Sequence, residues 1–159
     1  MIVFSNTTPF IALSSIGKLE LLPALFDEIY VVDAVVAECA EGGRIIVPDL
    51  TRLSWIRVIS SEVSEPHPLL LSLGHGEKHT INMAFKMKAN YVVLDEKIGR
   101  NVAEYLGLVV TGTLGVLLKA RQQKLIDSFT ACALAMQAQG IRYNMNLLKK
   151  LAWHVGETL

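Results

Sequence analysis

Short apolar runs alternate along this chain with segments whose apolar residues recur every three or four positions. The first pattern predicts buried strands and the second predicts helices packed beside them. Ile2, Val3 and Phe4 predict a first strand. Thr8 then reads as an N-cap with Pro9 at the first helical position, and Gly17 ends that helix. Leu19, Leu22, Leu25 and Phe26 keep helical spacing and predict a second, short helix. Ile29, Tyr30, Val31 and Val32 predict a second strand. Asp33 follows as the cap of a helix that carries Val35, Val36, Glu38 and Cys39 and closes at Gly42 and Gly43. Residues 55–59 alternate like an edge strand with one solvated face, and Pro48, Pro66 and Pro68 mark loops. Gly74-His75-Gly76 precedes a helix from Glu77 to about Met87. Tyr91, Val92, Val93 and Leu94 then form an apolar run that stops at Asp95 and Glu96, as a strand buried on both faces of a parallel sheet would. A helix over 101–106 closed by Gly107, a strand over 108–110, and a helix over 116–123 opened by Gly112-Thr113-Leu114-Gly115 follow. Two further helices are predicted over 128–139 and 145–155, the latter capped by Asn144.

Strand and helix in alternation argue a parallel α/β sheet. At 159 residues the chain fits one domain spanning 1–159. Hydrophobic residues make up 52% and charged residues 19%, which excludes a disordered chain. No apolar run reaches the roughly 20 residues of a membrane span. The start lacks the basic region of a signal peptide. Cys39 and Cys132 lie in apolar helical patterns and read as reduced core residues. A cytoplasmic location is the expectation. Formal net charge is zero, so any nucleic-acid binding must come from a local patch.

Ligands in open α/β sheets sit beyond the carboxyl ends of the strands. Asn6 and Asp95 are expected at such ends, Glu38 on the helix after the second strand, and Glu77 in the first turn of the helix before the Asp95 strand. Oxygen-rich sets of this kind suit Mg²⁺ or Mn²⁺, which use few protein carboxylates directly. A cation there relieves carboxylate repulsion and can neutralise charge on a phosphate in flight. Each residue also has a plainer reading. Glu77 suits the helix dipole, Glu38 the solvated edge of an amphipathic helix, Asp95 and Glu96 an N-cap pair, and Asn6 a turn. Gly112-Thr113-Leu114-Gly115 could cradle a phosphate at a helix start, but lacks both GxGxxG and the P-loop Lys.

The chain resembles the PIN-domain family, in particular a VapC-like bacterial and archaeal branch. The matching segments are Ser5-Asn6-Thr7-Thr8-Pro9-Phe10-Ile11-Ala12-Leu13, Val36-Ala37-Glu38, Gly76-Glu77 through Ala84, Val93-Leu94-Asp95 with Arg100, and Gly112-Thr113-Leu114-Gly115-Val116-Leu117-Leu118, with Gly156-Glu157 at the close. The resemblance runs nearly end to end and in order. It implies a PIN-like three-layer α/β/α fold with about five parallel strands. It also implies Mg²⁺- or Mn²⁺-dependent cleavage of single-stranded RNA. Many members are toxins held silent by a cognate antitoxin and are often homodimers.

By the resemblance, Glu38, Glu77 and Asp95 match family acids that hold metal and serve catalysis, and Asn6 stands where the family usually has an aspartate ligand. Thr113, Arg100 and Thr7 match secondary positions suited to substrate contact. Arg100 could equally pair with Glu104 one turn on. Asn6 can still offer a neutral oxygen, but the site loses one negative charge. A unit charge a few Å from a cation is worth several kcal/mol at roughly 332/(εr) with ε about 20. Metal affinity is then expected to fall by orders of magnitude; His79 could compensate as a nitrogen ligand, although an exposed helical histidine is its plainer reading, and Glu96 is a second candidate substitute. A metal-dependent ribonuclease is the first reading. A catalytically silent module that binds a partner protein or RNA is the alternative. The excess of apolar residues in the last two helices, including Met136, Leu147, Leu148, Leu151 and Trp153, suits core burial or a dimer or antitoxin surface.

Overall fold

Val3, Phe4 and Ser5 are all fully buried, as a strand covered on both faces requires. They form β1 (Val3–Ser5) of the computed structural model, which describes residues 1–61 and 65–159. β2 (Ile29–Val32), β3 (Ile56–Ile59), β4 (Tyr91–Val93) and β5 (Val110–Thr111) complete one sheet in the order β3-β2-β1-β4-β5. Every neighbouring pair is parallel. The chain fills one side of β1 first and then crosses to the other. That places a topological switch point between β1 and β4, where Ser5 is in register with Val93.

The helices are α1 (Thr7–Ser15), α2 (Leu21–Phe26), α3 (Asp33–Ala40), α4 (His75–Lys86), α5 (Lys97–Tyr105), α6 (Thr113–Gln122), α7 (Phe129–Ala138) and α8 (Met145–His154). The connections through α1–α2 and through α4 cross the sheet in opposite directions. Right-handed crossovers therefore put them on opposite faces. α4 packs on β1, β2 and β4 beside α5, whereas α2 packs with α6, and α1 and α6 with α7. α3 touches both α1 and α4. The result is the expected three-layer α/β arrangement with a five-stranded parallel sheet. The core runs through both layers, from Phe4, Phe10 and Leu13 to Leu94, Leu117 and Phe129.

Several boundaries differ from the sequence expectation. Asn6, not Thr8, occupies the N-cap position of α1, which puts Pro9 third in the helix. Pro9 still falls in the first turn, where the N–H groups lack intrahelical partners, so the earlier start costs nothing. Val32 is the N-cap residue of α3 and Asp33 its first helical residue. The Asp33 carboxylate accepts from Ala34 N at 2.9 Å and Ser61 Oγ at 2.6 Å, tying the start of α3 to the exit of β3. α5 begins at Lys97, four residues before the predicted start, and the last strand shifts from 108–110 to Val110–Thr111. β3 is an edge strand as read, although Arg57 and Val58 are both exposed, so strict alternation is broken. Gly17 and Gly107 end their helices at positive φ, as expected of glycine stops. Asn144 caps α8 by accepting from Asn146 N and Leu147 N. Cys39 and Cys132 are buried and free. Among the described residues no helix is long and apolar enough to cross a membrane.

Candidate active site

The switch point fixes where the chemistry gathers. Asn6 leaves β1 and donates its backbone N–H to Val93 O of β4 at 3.0 Å. It is 8% exposed, makes no side-chain cap hydrogen bond, and keeps its Oδ1 buried without a partner. Glu38 reaches in from α3. Its Oε2 accepts from Thr7 Oγ1 at 2.5 Å and its Oε1 from Gly76 N at 3.0 Å. This carboxylate is thus clamped between the first turns of α1 and α4, not on a solvated helix edge. Asp95 follows β4. Its Oδ1 accepts from Thr113 N at 2.7 Å and its Oδ2 from Thr113 Oγ1 at 2.6 Å. Thr113 opens α6 and is fully buried, so Asp95 is the anion held at the N-terminus of α6. The position read as a phosphate cradle is therefore already filled by a side chain. Asp95 and Glu96 likewise do not act as an N-cap pair, since Glu96 makes no side-chain cap bond to α5.

Each of the three acids rests on a glycine. A Cβ at Gly76 would lie 2.8 Å from the Glu38 carboxyl carbon, and one at Gly99 would lie 2.7 Å from that of Glu77. A Cβ at Gly112 would meet Asp95 Oδ1 at 2.7 Å and Arg100 Nη1 at 2.6 Å. No side chain larger than hydrogen fits at these positions while the acids stay in place. The glycines adjoin motif residues in the sequence, but only the fold shows which acid each one seats.

The start of α5 divides the region into two hollows. The larger, about 620 Å³, is lined by Asn6, Thr7, Glu38, Glu77, Glu96 and His75, among others. The smaller, about 320 Å³, is lined by Asp95, Arg100, Gly112 and Tyr143 with several leucines. Asn6, Glu38 and Glu77 thus share a cleft, and Asp95 opens to the neighbouring one. Among the described residues no three His, Cys, Asp or Glu side chains are grouped closely enough to form a ready metal cluster. Arg100 makes no ion pair with Glu104 among the described residues; it turns towards Gly112 instead. His79 is half-buried, not exposed, and packs edge-on against His75 at 4.7 Å. It does not line the acidic cleft, whereas Glu96 does. Tyr143 gave no sequence signal for the site, because nothing local predicts that the residue before the α8 cap returns to Asp95.

The electrostatics follow from this crowding. Burial, then the charges of Glu96 and Glu38, raise the Glu77 carboxyl above its ordinary value, against the pull of the Gly74 backbone. Burial and the Glu38 charge push the Cys39 thiol up to about 12, so without a metal it stays protonated. None of Glu38, Glu77, Asp95 and Glu96 forms an ion pair with a described residue. The donors are hard oxygens, one of them the orphaned Asn6 Oδ1, and they fit a hard divalent cation. The hydrogen bonds to Glu38 and Asp95 leave further lone pairs on each carboxylate.

The comparisons agree with this architecture. A PIN-domain family model matches residues 2–157. Among solved structures, a PilT N-terminus domain protein, SSO1118, from the hyperthermophilic archaeon Sulfolobus solfataricus P2 is similar at a TM-score of 0.59. The identity is 18%, over 76% of this chain and 93% of that one, so this likeness concerns the fold. No curated protein matches. PIN domains are typically metal-dependent nucleases, and a match over nearly the whole length leaves one assignment: this chain belongs to the PIN-domain family.

Proposed function

We propose that this protein is a divalent-metal-dependent endonuclease that cuts single-stranded RNA. Glu38, Glu77 and Asp95 are its metal-holding carboxylates, with Asn6 as a neutral oxygen donor. The observation that carries this reading is the crowding of Glu38, Glu77 and Glu96 on one cleft beyond the strand ends, with no described cationic side chain paired to any of them. Held by these residues, Mg²⁺ or Mn²⁺ would supply the missing positive charge and Lewis acidity towards a phosphoryl oxygen and a water. Thr7 and the Gly76 amide fix the direction of the Glu38 oxygens, and Thr113 does the same for Asp95. Burial and the charges of Glu96 and Glu38 hold the Glu77 carboxyl above its ordinary value, a crowding that a cation in the cleft would relieve. Arg100 lies beside Asp95 over Gly112, on the side of α5 away from the acidic cleft, where its guanidinium can meet the RNA.

The resemblance to the VapC-like branch supports a toxin held silent by a cognate antitoxin, working as a homodimer. Trp153, 77% exposed, and Leu134 and Leu147 supply apolar surface on α7 and α8 for such contacts. The second reading, a silent module binding RNA or a protein, draws on Asn6 and on the opening of Asp95 to a separate hollow.

One assay separates them: Mn²⁺-dependent cleavage of single-stranded RNA by wild type, Asn6→Asp and Asp95→Asn. Asp95→Asn keeps an acceptor for Thr113 N, so the fold survives. Wild type is expected to cut. Asn6→Asp should cut at least about tenfold faster at limiting metal, and Asp95→Asn should lose at least about 100-fold. Cleavage by Asn6→Asp alone would favour the silent module. Unchanged cleavage by Asp95→Asn would remove the acid from the mechanism.

A further inference from the structure

The hollow on the Asp95 side of α5 is unlike the acidic cleft. Its walls are Leu114, Leu118, Leu147 and Leu151, and its polar edges are Arg100 and Tyr143. At about 320 Å³ it is large enough for one planar heterocycle and too small for a folded element. The Tyr143 hydroxyl is buried and has no hydrogen-bond partner. Burial and the Asp95 charge hold its proton on strongly, and nearby Thr113 acts in the opposite sense without closing a hydrogen bond of ordinary geometry. A ring, a guanidinium and leucine side chains are the groups on which unstacked bases settle in single-stranded RNA recognition. An unpaired hydroxyl supplies a donor for a base edge, since a buried O–H without a partner gains from meeting one.

We propose that this hollow is a base-binding subsite, taking one unstacked nucleobase of the RNA next to the phosphate held over the acids. The inference rests on the nuclease reading above. The linking geometry is Asp95 itself, which faces the hollow, while its neighbour Glu96 faces the acidic cleft. One nucleotide can thus cross the first turn of α5 with its phosphate on one side and its base on the other. Arg100 stands on the base side, one residue after the Gly99 that seats Glu77.

The test is an abasic scan. Fluorescence anisotropy is measured on short single-stranded oligoribonucleotides with Ca²⁺ replacing Mn²⁺, each lacking the base at one position. One position should weaken binding to wild type by at least about fivefold. Leu147→Glu, at a rim residue 44% exposed, should remove that position dependence without lowering thermal stability. Tyr143→Phe, which keeps the ring, should keep the dependence on a missing base but lose preference between bases. A flat scan with wild type, or a position dependence that persists in Leu147→Glu, overturns the subsite. So does a Leu147→Glu variant whose only change is loss of self-association in sedimentation, because the hollow is then a protein contact. Cleavage in the Mn²⁺ assay with a flat scan rejects this inference alone. Absence of both cleavage and RNA binding rejects the nuclease reading and the subsite with it.

Discussion

Glu77 shows what a single residue can and cannot disclose. Its place in the first turn of α4 suits the helix dipole, and that was legible from the sequence. Its seat on Gly99 and its crowding by Glu96 and Glu38 were not, because those contacts join α3, α4 and the start of α5. The crowding has a measurable sign. A carboxyl whose folded pKa is raised contributes stability below its unfolded pKa and loses it as pH rises through the folded pKa. Metal-free Glu77→Gln should therefore match wild type in thermal stability near pH 4 and exceed it at pH 7. Saturating Mn²⁺ should narrow or reverse that difference. Equal melting temperatures at both pH values without metal would mean that Glu77 is not strained by its neighbours.

At the scale of elements, the last residues of the fold tie three helices together. Glu157, just beyond α8, accepts from Phe129 N and Thr130 N at the start of α7, both at 2.9 Å, and from Ser128 Oγ at 2.9 Å. Arg121 of α6 adds an ion pair at 3.0 Å, with the Glu157 side chain 14% exposed. Burial pushes this carboxyl up, but the Thr130 and Phe129 amides and the Ser128 hydroxyl outweigh it and hold the pKa down at about 2. A lowered carboxyl contributes stability above its unfolded pKa and loses it as pH falls through the folded one. Glu157→Gln should cost roughly 2 kcal/mol at pH 7 in urea unfolding. The cost should shrink between about pH 4.5 and pH 2. A pH-independent cost would point to packing and not to charge. The sequence marked Gly156-Glu157 only through its resemblance to the family branch; its partners lie about 30 residues away.

At the scale of the molecule, the candidate donors come from the starts or bodies of α1, α3 and α4 and from the end of β4, far apart in the chain. A ligand that bridges them binds only the folded state and so stabilises all of it. Mn²⁺ at 100 times its dissociation constant should add about 2.7 kcal/mol, read as a rise of several degrees in melting temperature. Asn6→Asp should melt lower than wild type without metal and gain more from Mn²⁺. A melting curve insensitive to Mn²⁺ in both proteins would count against a metal centre.

The strand-helix alternation, the parallel sheet and the edge position of β3 followed from apolar periodicity, since burial on two faces leaves a direct mark on residue type. Asn6, Glu38, Glu77 and Asp95 were each legible as residues near strand ends or helix starts. Their grouping depended on strand order. Only the sheet order β3-β2-β1-β4-β5 brings Asn6 beside β4 and divides the acids between two hollows. The glycine seats, the Thr113 clamp on Asp95 and the return of Tyr143 to the same place are contacts between residues distant in sequence. Periodicity constrains which face a residue turns to. It carries no information on what lies opposite, and that was decided when the layers closed on each other.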